Sequence, residues 1–340
     1  MSSIYDVIDS KVVKHAEIVV CLFDHCNLRC AFCSQEHDSL VGTTEKEILS
    51  KVDGIVKWIN ENTRSTDYKI HIMGGELFQD SWINLGYLNI YQKFIDQIRS
   101  QVPQNKNILN NFVTNLVFEN TEPVLDFLTK NNLKFSISYD PRGRFATKEE
   151  FEIFKRNIEI FRDKIEIVSL VMTKQNIRAV QDGDEYFDYL YSILPMHWDS
   201  FLPSVEMSEK MMPAETELLS FYKLLVDKYP DTMNMDSFLS DEPSNRMWCT
   251  RGNSYTVLKD NTVPKGCSGS VLLRDGQTDN ASTGEIVINF FKTYDCFSCE
   301  YYKKCTFTCF IQNDYKKINK DLGKCVFKEV YKYVDGKKRT

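Results

Sequence analysis

The sequence predicts an α/β fold: an open, partial (β/α)6 barrel followed by a cysteine-rich module. Three observations carry that prediction. From about residue 17, short apolar runs alternate with longer stretches of helical period, as successive βα units on a parallel sheet do. Six such units are present, too few to close an eight-stranded barrel. Seven of the eleven cysteines then fall in the last hundred residues.

The first strand spans Glu17 to Phe23 and leads straight into a cysteine loop. Thr44-Glu-Lys-Glu47 has the form of a capping box, and Ile48, Val52, Ile55 and Ile59 follow at helical spacing. Strands are expected over Tyr68 to Met73, Ile108 to Val113, Leu133 to Tyr139 and Ile165 to Met172, with a less regular sixth over His197 to Val205. They end in turn with Gly74-Gly75-Glu76, Thr114-Asn115, Asp140-Pro141 and Thr173-Lys-Gln-Asn176. Thr147-Lys-Glu-Glu150 caps a further helix whose Phe151, Phe154, Ile158 and Phe161 make one apolar stripe. The chain divides into an N-terminal segment (1–16), the barrel (17–212), a helix and linker (213–245), the cysteine module (246–330) and a basic tail (331–340).

With 42% hydrophobic and 13% aromatic residues there is ample material for a core. The balance of 42 basic against 48 acidic side chains gives −6, which offers nucleic-acid backbone no general attraction. No run of eighteen apolar residues and no basic-then-apolar leader is present, so a cytoplasmic protein with no membrane partner is expected. In that compartment eleven cysteines point to metal ligation rather than disulfides.

The first cysteine loop reads Cys26-Asn-Leu-Arg-Cys30-Ala-Phe-Cys33. A structural zinc site needs four ligands, whereas three close thiolates suit a cubane iron–sulfur cluster with one iron left open. An open iron can take an exchangeable small molecule. The plainer readings are zinc binding, disulfide exchange or simple burial. The second field is Cys296-x2-Cys299-x5-Cys305-x3-Cys309, with Cys325 beyond it and Cys249 and Cys267 upstream. Tyr255 to Leu258 and the Asp260-Asn261 turn suggest a hairpin between the upstream pair. Here the plainer reading is one or two zinc sites. Cys21 reads as a buried small hydrophobe, and His25 and His37 as polar residues flanking the cluster loop.

The first motif resembles the signature of the radical S-adenosylmethionine (radical SAM) enzymes, and the second resembles, cysteine for cysteine, their seven-cysteine SPASM extension. The resemblance runs from about residue 17 to 325. It implies a partial barrel of the radical SAM type, with Cys26, Cys30 and Cys33 holding the cluster that chelates S-adenosylmethionine and cleaves it to a 5′-deoxyadenosyl radical. Gly74, Gly75 and Glu76 match the motif that contacts the amino group of S-adenosylmethionine, with Leu77 where proline is usual. Thr114 and Asn115, with Leu116 replacing a glycine, match a further cofactor-facing position. Ser138 and Asp140, with Pro141 replacing a glycine, match another, and Asn176 ends the fifth-strand segment.

The extension implies two auxiliary clusters, for three 4Fe–4S clusters in all. One would be held by Cys296, Cys299, Cys305 and Cys325. The other would be held by Cys249, Cys267 and Cys309 with its fourth ligand unidentified. Relatives with this extension mostly oxidise, cross-link or epimerise peptide and protein side chains, which makes a peptide the first choice of substrate. Modification of a small metabolite or nucleotide is the enzymatic rival, and an electron carrier or zinc scaffold the rival outside catalysis. A low-potential donor such as flavodoxin or ferredoxin is implied. Only about 16 residues precede the first strand, too few for a fused leader-binding module, so a peptide substrate implies a separate recognition protein or none.

Overall fold

The computed structural model describes residues 15–33, 35–63, 65–201, 210–233, 235–240, 254–264, 290–302, 304–305 and 320–338. Seven strands form one sheet: β1 (His15–Cys21), β2 (Asp67–Met73), β3 (Asn107–Thr114), β4 (Lys134–Ser138), β5 (Ile165–Val171), β6 (Met196–Asp199) and β7 (Ser254–Val257). Their order is β6-β5-β4-β3-β2-β1-β7 and every neighbouring pair is parallel. The sheet curls into a half-barrel.

Side chains alternate across the sheet, as the two-residue period of a strand requires, apart from a bulge between β4 and β5. Ala16, Ile18, Val20, Tyr68, Ile70, Ile72, Phe112, Phe135, Ile137, Val168, Leu170, Met196 and Trp198 are buried on the outer face. The helices Val52–Glu61, Tyr87–Gln101, Thr121–Asn131, Lys148–Phe161, Lys174–Gln181 and Glu185–Ile193 return the chain between strands. Their apolar stripes supply the other half of this core, including Ile55, Phe94, Leu128, Phe154 and Leu190. The intervening strand positions face the concave side: Glu17, Lys69, His71, Asn111, Ser136, Ser138, Ser169, His197 and Asp199.

Both expected capping boxes form, at Thr44–Glu47 and Thr147–Glu150. The helix expected after Thr44 breaks in two, into Glu45–Leu49 and Val52–Glu61. At the break stands Lys51, almost wholly buried, whose Nζ donates to the Lys259 carbonyl at 2.8 Å and to Asn261 Oδ1 at 2.9 Å. The expected sixth strand is shorter than the pattern suggested, and residues 202–209 lie outside the described residues.

The expected strand around Tyr255 forms as β7, paired with β1 from Glu17↔Ser254 to Val20↔Val257, and the turn after it closes through Leu258, Asn261 and Thr262; the second arm of the expected hairpin lies outside the described residues. β7 covers the backbone edge of β1, which would otherwise be open. Tyr255 stacks on Trp58 with ring centroids 5.3 Å apart. The expected linker contains the short helix Asp236–Leu239, whose Phe238 is buried against Tyr222, Phe327 and Tyr331. Helix Glu215–Lys228 packs against both Lys174–Gln181 and the C-terminal helix Val326–Lys338.

Candidate active site

The C-terminal ends of β1 to β5 converge on the Cys26–Cys33 loop. β1 delivers the chain into it, and the Gly74-Gly75 turn after β2 lies directly against it. Gly75 N–H donates to the Phe23 carbonyl at 2.7 Å, and Glu76 N–H donates to the His25 carbonyl at 3.0 Å. A Cβ on Gly74 would stand 2.4 Å from the Phe23 oxygen, and one on Gly75 would stand 2.0 Å from the His25 oxygen. The glycines are therefore required for the cysteine loop to pass this closely. The Gly74 carbonyl accepts from Gln35 Nε2 at 2.5 Å, which ties the far side of the same loop to the turn.

Glu76 is fully buried and both its oxygens are engaged. Oε1 accepts from Phe78 N–H and Thr114 Oγ1, each at 2.8 Å, and Oε2 accepts from Asn115 N–H at 2.6 Å. Burial pushes its pKa up to about 7, against the downward pull of those three hydrogen bonds. Asn115 Nδ2 donates to Asn27 Oδ1 at 2.8 Å, and Asn27 Nδ2 donates to the Val117 carbonyl at 2.6 Å. A single network thus joins Glu76, Thr114, Asn115 and the first turn of the cysteine loop.

A second network closes the other side. Asp140, also fully buried, accepts through Oδ1 from Val171 N–H at 2.9 Å and from Asn176 Nδ2 at 2.8 Å. Its Oδ2 accepts from Arg144. Asn176 Oδ1 in turn accepts from Arg142 N–H at 3.1 Å. Asp140 and Asn176 therefore hold each other and the loop after β4. Ser138 faces the concave side, paired with Ser169.

The three thiols of the first loop share one electrostatic neighbourhood. Cys26 is buried and pushed up to about 12 by desolvation, with Glu76, Cys30 and Cys33 adding to the shift. Burial also raises the Cys30 and Cys33 thiols. Leu28 N–H points at Cys26 Sγ from 3.4 Å, and Asn115 Nδ2 lies 3.8 Å from it. A cationic metal centre would reverse these upward shifts by favouring thiolate.

In the C-terminal region, Cys296 opens a tight turn in which Cys299 N–H donates back to the Cys296 carbonyl at 3.1 Å. Cys305 N–H donates to the Tyr301 carbonyl at 2.8 Å, and Cys325 immediately precedes helix Val326–Lys338. Burial pushes Cys296 up to about 12, with Cys325 and Cys299 as its nearest charged neighbours. Burial also raises the Cys325 thiol, against the pull of the Lys328 and Phe327 N–H groups toward thiolate. Beside it lies Glu215, buried, with Oε1 accepting from Tyr294 Oη at 2.9 Å.

Cys249, Cys267 and Cys309 lie outside the described residues. No disulfide links the described cysteines. Among the described residues no three His, Cys, Asp or Glu side chains are grouped so that they could hold a single metal ion. What fits a cluster is the donor chemistry: neighbouring, unpaired thiols on one short loop with N–H groups aimed at sulfur.

Among solved structures the chain resembles anSMEcpe with bound AdoMet, at 18% identity and a TM-score of 0.68 over 95% of this chain and 97% of that one. Native anSMEcpe with bound AdoMet and the Kp18Cys peptide gives 19% identity and 0.68, covering 95% and 98%. Streptococcus suis SuiB gives 14% identity and 0.51, covering 91% and 77%. No family model and no curated protein matches the chain. The chain has the radical SAM fold.

On that fold, every described residue singled out in the first barrel motif stands at the mouth of the radical SAM half-barrel. Periodicity could not reveal the interior. Lys69 Nζ binds Glu166 Oε1 at 2.8 Å, and Asn111 Nδ2 donates to Glu166 Oε2 at 2.6 Å. Glu166 is the extra residue of a β-bulge, since Phe135↔Ile165 is followed directly by Ser136↔Ile167. His197 Nδ1 lies 3.2 Å from Asp199 Oδ1, and Glu17 and His71 act on this pair from across the half-barrel. The signal for these residues was present as polar breaks in otherwise apolar strands. Arg144 was missed too, because nothing in its local sequence marks it.

Proposed function

We propose that the protein is a radical SAM enzyme that abstracts hydrogen from a peptide or protein side chain, in a reaction assisted by auxiliary clusters. The observation that carries this reading is the Cys26–Cys33 loop itself, seated at the C-terminal mouth of a half-barrel against Gly74-Gly75-Glu76. Catalytic groups of βα barrels belong at that end. Cys26, Cys30 and Cys33 would hold a 4Fe–4S cluster, and with S-adenosylmethionine that centre would supply a 5′-deoxyadenosyl radical.

The chain's own residues do the rest. The Glu76 and Asp140 networks lock the ends of β2 to β5 around the loop, so the cofactor would meet fixed backbone rather than mobile side chains. Gly74 and Gly75 keep that surface flat. The concave face, lined by Glu17, His71, Asn111, Ser169, His197 and Asp199, offers a polar substrate group hydrogen-bond partners directly beneath the loop. A peptide substrate is supported by the likeness to anSMEcpe, solved with a bound peptide. Cys296, Cys299, Cys305 and Cys325 are read as ligands of one auxiliary cluster, and Cys249, Cys267 and Cys309 as ligands of another. Flavodoxin or ferredoxin would serve as electron donor.

The test is anaerobic reconstitution followed by S-adenosylmethionine cleavage and label transfer from deuterated candidates. About twelve irons per chain and deuterium in 5′-deoxyadenosine from a peptide are expected. Four irons with two zincs would remove the auxiliary clusters from the reading. Label from a metabolite or nucleotide alone would remove the peptide.

A further inference from the structure

Arg144 is a buried cation paired with the buried Asp140 carboxylate. Its Nε and Nη2 donate to Asp140 Oδ2 at 2.9 and 2.5 Å, with the two side chains 7% and 0% exposed. At that depth the desolvation cost of an ion pair rivals its Coulomb gain, and an apolar pair of the same volume would stabilise the fold at least as well. The use of the charge lies on its other side. The guanidinium carbon stands 5.6 Å from the centroid of Phe32, the residue between Ala31 and Cys33. One residue before Arg144, the Gly143 carbonyl accepts from Ala31 N–H at 2.8 Å. The turn after β4 therefore grips the middle of the cysteine loop by backbone, ring face and charge.

The grip is polar in a defined sense. The guanidinium end of the buried Asp140–Arg144 pair stands over the Phe32 ring, one residue from Cys33, while Asp140 Oδ1 is turned to Val171 N–H and Asn176 Nδ2.

We propose that Arg144 is a positioning residue that holds the Cys26–Cys33 loop in ligand geometry and raises the reduction potential of the cluster bound there. The proposal rests on the function argued above and names a control element of the same site. A fixed positive charge beside a cluster favours the reduced, more negative form, so it eases the electron uptake that must precede S-adenosylmethionine cleavage. This potential is tuned by the chain rather than by a cluster ligand.

The experiment compares full-length, anaerobically reconstituted protein with Arg144→Met, Arg144→Lys and Asp140→Asn. The readouts are iron content, S-adenosylmethionine affinity and a potentiometric titration. The titration follows the paramagnetic signal that changes when S-adenosylmethionine is added, which singles out this cluster from the auxiliary ones. In Arg144→Met the reduced-to-oxidised ratio at the wild-type midpoint should fall about tenfold, equivalent to about 59 mV for one electron. Arg144→Lys should stay nearer the wild type, and Asp140→Asn should move the midpoint the opposite way. Equal midpoints in all loaded proteins overturn the proposal. So does a selective loss of S-adenosylmethionine affinity at unchanged midpoint, because Arg144 would then serve the ligand. If Arg144→Met takes up no iron, Asp140→Asn still decides it: a raised midpoint there, with Arg144→Lys near the wild type, supports the proposal, and an unmoved one overturns it. A wild-type protein with no responsive signal overturns the functional reading itself, which the variants are not needed to detect.

Discussion

At Asp199 one carboxylate sets the charge of its neighbour His197 but not that of His71. Burial pushes the His197 ring down, but Asp199 at 3.2 Å and the more distant Glu17 outweigh it, so the ring titrates above its usual 6.5. His71 on β2 goes the other way, lowered by burial and Lys69 despite Glu17, Glu166 and Asp199. Asp199 itself, half exposed at the strand end, is held below the usual carboxylate range, since His197, Ser169 and His71 together outweigh its desolvation. The sign of the linkage follows. A folded-state pKa raised above the unfolded 6.5 gives stability that is fully present below that pH and is lost as pH rises through the raised value. Replacing Asp199 by Asn should drop the His197 pKa below 6.5, because desolvation then acts with less opposition. Histidine NMR titration reads this directly. An unchanged His197 midpoint in the variant would mean that Glu17, not Asp199, sets the ring's charge.

At the end of β3 the backbone turns through Leu116, whose φ of +61° is a conformation usually left to glycine. Its N–H donates to Thr114 Oγ1 at 3.0 Å and its carbonyl accepts from Asn157 Nδ2 at 3.1 Å, so the geometry is imposed from both sides. The side chain is fully buried. Two effects compete in Leu116→Gly: relief of backbone strain of about 1 kcal/mol, and loss of a buried leucine worth about 2–5 kcal/mol. Burial wins, and urea unfolding should show the variant less stable by about 2 kcal/mol. Stabilisation would mean that the turn, not the core, chose this residue. The Thr-Asn end of this element was legible in the sequence, because it follows a period-two apolar run. The left-handed leucine was marked only by the resemblance, which has glycine at this position; the residue type itself reads as core. The broken helix at Lys51 was illegible for a different reason. Its partners lie 208 and 210 positions away, and local periodicity cannot see them.

Across the whole molecule the strands were readable, β7 among them as a hairpin arm, while the polar interior and the pairing of β7 with β1 were not. Glu166 reaches Lys69 and Asn111 only because a bulge shifts the β4–β5 register, and β7 exists because the edge of β1 needs a partner. That second dependence makes the C-terminal part integral to the barrel. Beyond β7 itself, it supplies the carbonyl and amide oxygens that accept hydrogen bonds from the buried Lys51 ammonium. It also supplies Phe327 and Tyr331 against Phe238, the Tyr294 hydroxyl on Glu215, and Asp321 on Thr216 N–H at 3.1 Å. A chain ending at residue 240 would bury an unpaired Lys51, leave the β1 edge open and expose the Phe238 face. Such a fragment should fail to give a cooperative monomeric unfolding transition, and it should aggregate by strand pairing at its β1 edge. The full chain, in turn, should unfold its barrel and its C-terminal helix together rather than in two separate steps, by circular dichroism and by tryptophan fluorescence alike. A soluble, monomeric 1–240 fragment with a sharp transition of its own would show that the barrel is self-sufficient and that β7 merely decorates it.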